Sequence, residues 1–325
     1  MKIWAGLITG IFGMSAAWVV ILLLQMGRPT LSSQWIADVY AAKTVRAVHI
    51  QGRRIVVVAG SNALFGIDSK MLEQAYDLPV VNFAVNAGLM LPYVLLKSQA
   101  VLRPGDIVLL PLEYHFYVYD GIPNTQMIDQ IWSRDPHFLQ SLTVGEQWRM
   151  IWMISLNRVM EGFRAAGGVP TMCGPYGHEN IDDHGDQTHT SAEEAKAWAS
   201  DWEALKTELP RRYGAQAEQD QGWWWLRRYV RWAREQGIHL IFLPPAMMAD
   251  PSYRHDPVEA RFYTTLADRV RTLGVAFVGE PYSSMYPREW FFNTDHHLID
   301  QARTRHTRRI IEALGPDLSR HQGME

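Results

Sequence analysis

The sequence predicts an α/β domain, a mostly parallel five-stranded sheet packed between helices, behind one N-terminal transmembrane helix. Three observations carry this. From Ile55 to Leu112, short β-branched runs alternate with helix-compatible segments, the pattern of right-handed βαβ units. The first run, Ile55-Val56-Val57-Val58-Ala59, stops abruptly at Gly60-Ser61-Asn62, which puts a hydroxyl where a strand buried on both faces leaves the sheet. The stretch from Ile3 to Gly27 carries no charge and, at about 1.5 Å per helical residue, is long enough to cross a bilayer.

The apolar N-terminus has no small-x-small cleavage site after Ile21-Leu22-Leu23-Leu24, so residues 1–28 read as an uncleaved signal anchor. Lys2 precedes it, while Arg28, Lys43, Arg46, Arg53 and Arg54 follow, so the flanking charge does not set its orientation. Residues 29–53 read as a juxtamembrane helix and linker. The α/β domain then runs over 54–325, with a helical and loop insertion at about 120–218. The 325 residues, 47% of them hydrophobic, supply one large core or two small ones. A net charge of -3 with no basic block excludes a nucleic-acid binder, whose phosphate affinity needs an excess of Lys and Arg. The single cysteine, Cys173, forms no internal disulfide.

Ile55 to Ala59 is the first strand, and Asp68 is placed to cap a helix over Ser69 to Tyr76. Leu78 to Val85 is the second strand, followed by a helix near Leu91 to Leu102 that the turn Arg103-Pro104-Gly105-Asp106 ends. Ile107 to Leu112 is the third. A mostly helical stretch over Gln126 to Phe163 leads into a polar, irregular loop from Ala166 to Ala192. Helical patterns follow at Ala192 to Leu209 and Gln219 to Gln236, the second stopped by Gly237. Ile238 to Pro245 is the fourth strand, Pro257 to Leu273 a helix, Val275 to Val278 the fifth strand, and Asp300 to Ala313 the last helix.

A serine lifted off the sheet edge becomes a nucleophile only beside a base. The loop Phe291-Phe292-Asn293-Thr294-Asp295-His296-His297-Leu298 supplies a histidine and a carboxylate just before the last helix. Neutral imidazole takes the serine proton, and a carboxylate on the other ring nitrogen sets its tautomer. The plainer alternatives are a serine that caps a helix and a solvated polar loop. Two further groupings stand out in the sequence. His178, Asp182, Asp183, His184, Asp186 and His189 crowd the long loop, but no helical spacing fixes them, so a solvated, mobile loop and no metal are expected. Trp223-Trp224-Trp225 and the aromatics Tyr114 to Tyr119 could stack on sugars. Core packing is the expected role for both, with at least one tryptophan exposed.

Gly60-Ser61-Asn62 after the first strand, Asn82-Phe83-Ala84-Val85-Asn86-Ala87-Gly88 after the second, and Asp295-His296-His297-Leu298 before the last helix resemble the SGNH (GDSL-like) hydrolase superfamily over roughly Arg54 to Leu314. The resemblance is to its extracytoplasmic, membrane-anchored branch, which serves teichoic acid D-alanylation and alginate O-acetylation. Arg103-Pro104-Gly105-Asp106 and Pro111-Leu112-Glu113-Tyr114 are also similar to SGNH-type proteins of bacterial cellulose and exopolysaccharide operons. The resemblance implies a three-layer α/β/α fold with Ser61 as nucleophile, His297 as base and Asp295 as orienting acid. It implies an oxyanion hole from the Ser61 and Gly88 N–H groups, with Asn62, Asn86 and Tyr114 toward substrate. The implied activity is acyl transfer, acetyl favoured, to an exported polysaccharide such as cellulose, without cofactor or metal, beside a membrane-bound acyltransferase and on the periplasmic face of the inner membrane. A polysaccharide deacylating esterase and a non-catalytic polymer-binding scaffold are the alternatives. Two positions depart from the family pattern. Leu112-Glu113-Tyr114 stands where an oxyanion-hole Asn belongs, and Thr294 stands three residues before His297, where the acid belongs.

Overall fold

The computed structural model describes residues 2–165, 168, 174–197, 210–316 and 318. Among these, the β-branched and aromatic runs form strands Ile55–Val57 (β1), Val80–Asn82 (β2), Ile107–Leu110 (β3), His239–Phe242 (β4), Met247–Met248 (β5), Ala276–Phe277 (β6) and Met285–Tyr286 (β7). Five of them make one sheet in the order β2-β1-β3-β4-β6, and every pair in it is parallel. Ile55 lies between Val80 and Ile107, and Leu109 pairs with Ile241, so the C-terminal ends of the strands share one edge. Every residue of β1, β2 and β3 is buried, as continuous apolar runs in a parallel sheet require. Helices Ser69–Tyr76, Gln221–Glu235 and Pro257–Arg271 pack on β2, β4 and β6 respectively. The small parallel pair β5 and β7 was not legible in the sequence.

The chain forms two compact units, Met1–Ala37 with Pro123–Cys173, and Asp38–Ile122 with Gly174–Glu325. The expected insertion is thus divided, its first part grouping with the N-terminal helix. In the first unit, helix Lys2–Gln25 contains a stretch, Gly6–Gln25, with mean hydropathy 2.3 and only 6% buried, long and apolar enough to cross a membrane. Arg158 holds its C-terminal end, donating to the Gln25 side chain at 3.1 Å and the Arg28 carbonyl at 2.9 Å, and it lies 3.3 Å from Asp129. The helical stretch after Pro123 is three helices, Thr125–Arg134, Val144–Trp152 and Leu156–Arg164. Pro136 interrupts the first, a Thr143/Glu146 capping box starts the second, and Ser155 caps the third.

In the second unit the Arg103–Asp106 turn delivers a buried carboxylate to Arg54, just before β1. Asp106 Oδ1 and Oδ2 each accept from the Arg54 guanidinium at 3.0 Å, and the guanidinium also donates to the carbonyls of Ala47 and Val101. Asp68 caps Ser69–Tyr76 as expected, accepting from the Met71 N–H at 3.0 Å. The expectation of a solvated, mobile loop around Asp182 to His189 is corrected for its centre. Asp186 is buried and accepts from the Ser69 N–H, the Ser69 hydroxyl and the Asn82 side chain at 2.6, 2.7 and 2.8 Å. The Asn82 N–H donates to the His184 carbonyl at 2.9 Å. The physical reason is that β2 is an edge strand with backbone groups to satisfy, and this loop satisfies them. The rest of the helix expected beyond Ala197, and Cys173, lie outside the described residues. Trp223 and Trp225 are buried and Trp224 exposed, as helical spacing demanded.

Candidate active site

Ser61 opens the short helix Ser61–Gly66 directly after β1. The N-cap is Gly60, not Ser61, and the cap makes no side-chain hydrogen bond, which removes the reading of Ser61 as a capping serine. Ser61 is partly exposed, and its hydroxyl makes no hydrogen bond among the described residues. Gly60 is required here by close approach, since a Cβ would collide with Glu113 Oε1 and meet Ala87 Cα at 2.5 Å.

His297 lies against this helix. Its ring stacks on Phe65 with centroids 4.0 Å apart and planes 3° from parallel. Phe65 stands four residues beyond Ser61, one turn along the same short helix. The loop that carries it is held by Thr294, whose hydroxyl accepts from the N–H groups of both His296 and His297 at 3.2 Å. The Phe292 N–H donates to the His297 carbonyl at 2.6 Å, closing the turn.

That turn brings Asn293, four residues before His297, onto the ring. His297 Nδ1 stands 2.7 Å from Asn293 Oδ1, while Asn293 Nδ2 donates to the Tyr176 hydroxyl at 2.9 Å. With its amide nitrogen engaged there, Asn293 presents an acceptor to the histidine. Nδ1 therefore carries the proton and Nε2 the lone pair. His297 is 5% exposed, and burial, followed by the charge of His296, lowers its pKa to about 3, so it is neutral across the working pH range.

The expected partner, Asp295, is corrected. Its Oδ2 pairs with Arg211 Nε at 3.1 Å and lies 3.9 Å from His296 Nε2, and its Oδ1 is buried without a hydrogen bond. Burial pushes this carboxyl up, but His296 and Arg211 outweigh it and hold the pKa below the usual value. The reason is geometric. Thr294 folds the chain so that the side chain four residues back, not two, reaches Nδ1.

Four other expected contributors are also placed elsewhere. Tyr114 has no exposed surface and sits among Tyr213, Phe262 and Tyr263, which does not fit a contact with substrate. Asn62 is buried and donates to the Pro111 carbonyl at 2.8 Å. The Gly88 N–H is taken by the Asn86 side chain at 2.6 Å, so both of these residues serve a local turn. Met90, two residues on, sits at φ 60° and ψ 161°, a region nearly reserved for glycine that costs about 1–3 kcal/mol and clusters at functional loops. Glu113, after β3, is buried and accepts from the N–H groups of Gly60 at 3.0 Å and Asn62 at 3.1 Å, on either side of Ser61. The Ser61 N–H is left between them. Sequence reasoning missed the roles of Asn293, Glu113, Phe65, Tyr176 and Arg211. Only Thr294, a hydroxyl inside a short polar turn, signalled the fold-back.

Comparison of the chain with family models, curated proteins and solved structures returns no match.

Proposed function

We propose that the second unit is a three-layer SGNH-type O-acyltransferase that moves an acyl group, acetyl favoured, onto an exported polysaccharide such as cellulose. The single observation that carries this reading is His297, held neutral by burial, set by Asn293 so that Nε2 keeps the lone pair, and stacked on Phe65 of the helix that Ser61 opens. In this scheme Ser61 Oγ attacks the donor carbonyl carbon and its proton passes to His297 Nε2. The Asn293 carbonyl accepts from Nδ1–H as the ring becomes cationic, and the nearby Asp295 charge favours that cation. The Ser61 N–H receives the developing oxyanion. The imidazolium protonates the leaving group. A sugar hydroxyl then gives its proton to Nε2 and attacks the acyl-serine carbonyl; as the bond to Ser61 Oγ breaks, the imidazolium returns that proton to Oγ, which restores Ser61 and neutral His297.

The N-terminal span holds the domain on the periplasmic face of the membrane, beside a membrane-bound acyltransferase that supplies the donor; protease added to spheroplasts then removes the domain. The reaction is tested with a soluble acyl ester and an oligosaccharide acceptor. Acylated sugar that depends on Ser61 supports the transferase, whereas free acid released at an unchanged rate, with no acylated sugar, identifies an esterase. A non-catalytic polymer-binding scaffold is the second reading, and Glu113 favours it. A carboxylate beside the Ser61 N–H opposes an oxyanion, and the Gly88 N–H is already engaged.

A further inference from the structure

The first unit carries a row of large apolar side chains that nothing in its own fold covers. Val144, Trp148 and Trp152 on helix Val144–Trp152, and Leu156, Met160 and Phe163 on helix Leu156–Arg164, are all exposed, Trp152 to 83%. The opposite sides of the same helices bury Met150, Val159 and Gly162, so the two helices are amphipathic with the apolar face turned out. A contiguous exposed apolar surface of this kind marks a contact with lipid or protein.

The surroundings of the row favour lipid. Helix Leu156–Arg164 packs on the N-terminal helix within this unit. It does so at the end of the span, where Arg158 bonds Gln25 and Arg28, and where the Arg28 guanidinium lies 5.7 Å over the Phe163 ring. The exposed row on helix Leu156–Arg164 thus sits beside the C-terminal end of the span, where a spanning helix leaves the bilayer. Tryptophans are favoured at that level, and the exposed cation Arg164 suits a lipid phosphate.

We infer that helices Val144–Trp152 and Leu156–Arg164 lie in the lipid headgroup region with Trp148, Trp152, Leu156, Met160 and Phe163 inserted, a second membrane contact beside the span. This rests on the N-terminal helix residing in the bilayer, and the experiment separates the two. Full-length protein with Cys173→Ser and either Trp152→Cys or Ile11→Cys is labelled with an environment-sensitive fluorophore. It is reconstituted in phosphatidylcholine–phosphatidylglycerol vesicles and exposed to doxyl-lipid or aqueous iodide quenchers. The expected result is that shallow doxyl lipid quenches position 152 several-fold more than iodide does, while deep doxyl lipid quenches position 11. Quenching of 152 by iodide alone, with 11 still in lipid, overturns the surface contact and spares the anchor. Protection of 152 from both quenchers places a protein on the row and also overturns it. Position 11 out of reach of lipid quenchers defeats the anchor and this inference together.

Discussion

His297 Nδ1 and Asn293 Oδ1 stand 2.7 Å apart, and the Tyr176 hydroxyl holds the other end of the same amide, so a neutral side chain sets the tautomer of the candidate base. Asn293→Ala is expected to lower kcat/KM toward a soluble acyl ester by about 100-fold or more, the scale of general-base catalysis. Asn293→Asp keeps an acceptor on Nδ1 and is expected to retain most activity. Asp295→Asn leaves that hydrogen bond intact and is expected to cost less than Asn293→Ala. The reverse ranking would show that Asp295 moves onto His297 in the working enzyme.

Stability should fall in acid through buried neutral histidines, His297 and His306 among them. Burial, with His296 and with Arg309 respectively, lowers His297 and His306 to about 3, against an unfolded value of about 6.5. Below about pH 6.5 the unfolded chain binds protons that the folded chain refuses. Their contribution is therefore complete above that pH and is lost as pH falls toward 3. The melting temperature measured from pH 7.5 to 4.5 is expected to drop. His306→Asn should flatten the drop, and a flat profile for the unaltered protein would contradict the assignment.

Gly60→Ala is expected to destabilise the protein by at least about 1–3 kcal/mol, because the new methyl meets the Ala87 backbone as well as Glu113 and cannot be relieved by one rotamer change. A denaturant melt checks this, and an unchanged midpoint would mean that the β1 turn is looser than described.

Removing Asp106 tests the buried ion pair that closes the sheet's N-terminal side. Asp106→Ala leaves the Arg54 guanidinium, which has no exposed surface, without its carboxylate and is expected to cost about 3–5 kcal/mol. Asp268→Ala, at the exposed Arg271 pair, should change stability by less than about 1 kcal/mol. Equal effects would contradict the contrast in burial.

The sheet was legible because its strands are continuous apolar runs, which mark burial on both faces without any knowledge of partners. The Asp68 cap, the Gly237 stop and the serine after β1 were equally local signals. The ligand of His297 was not legible for a different reason. Asp295 carries the charge expected of an orienting acid, but reach is decided by how Thr294 folds the turn, and that depends on packing against Phe65 and Tyr176 from distant segments. Asp186 illustrates the same limit. In sequence it is one acid in a polar loop, and only the unsatisfied edge of β2 gives it a buried place.

The central claim is that Ser61 is a nucleophile activated by His297, and covalent labelling tests it most directly. Purified protein is treated with a fluorophosphonate and the mass of the intact chain is measured. A single adduct on Ser61 is predicted, absent in Ser61→Ala and slowed by about 100-fold or more in His297→Ala. No adduct on the unaltered protein, or an adduct that persists in Ser61→Ala, would contradict the account.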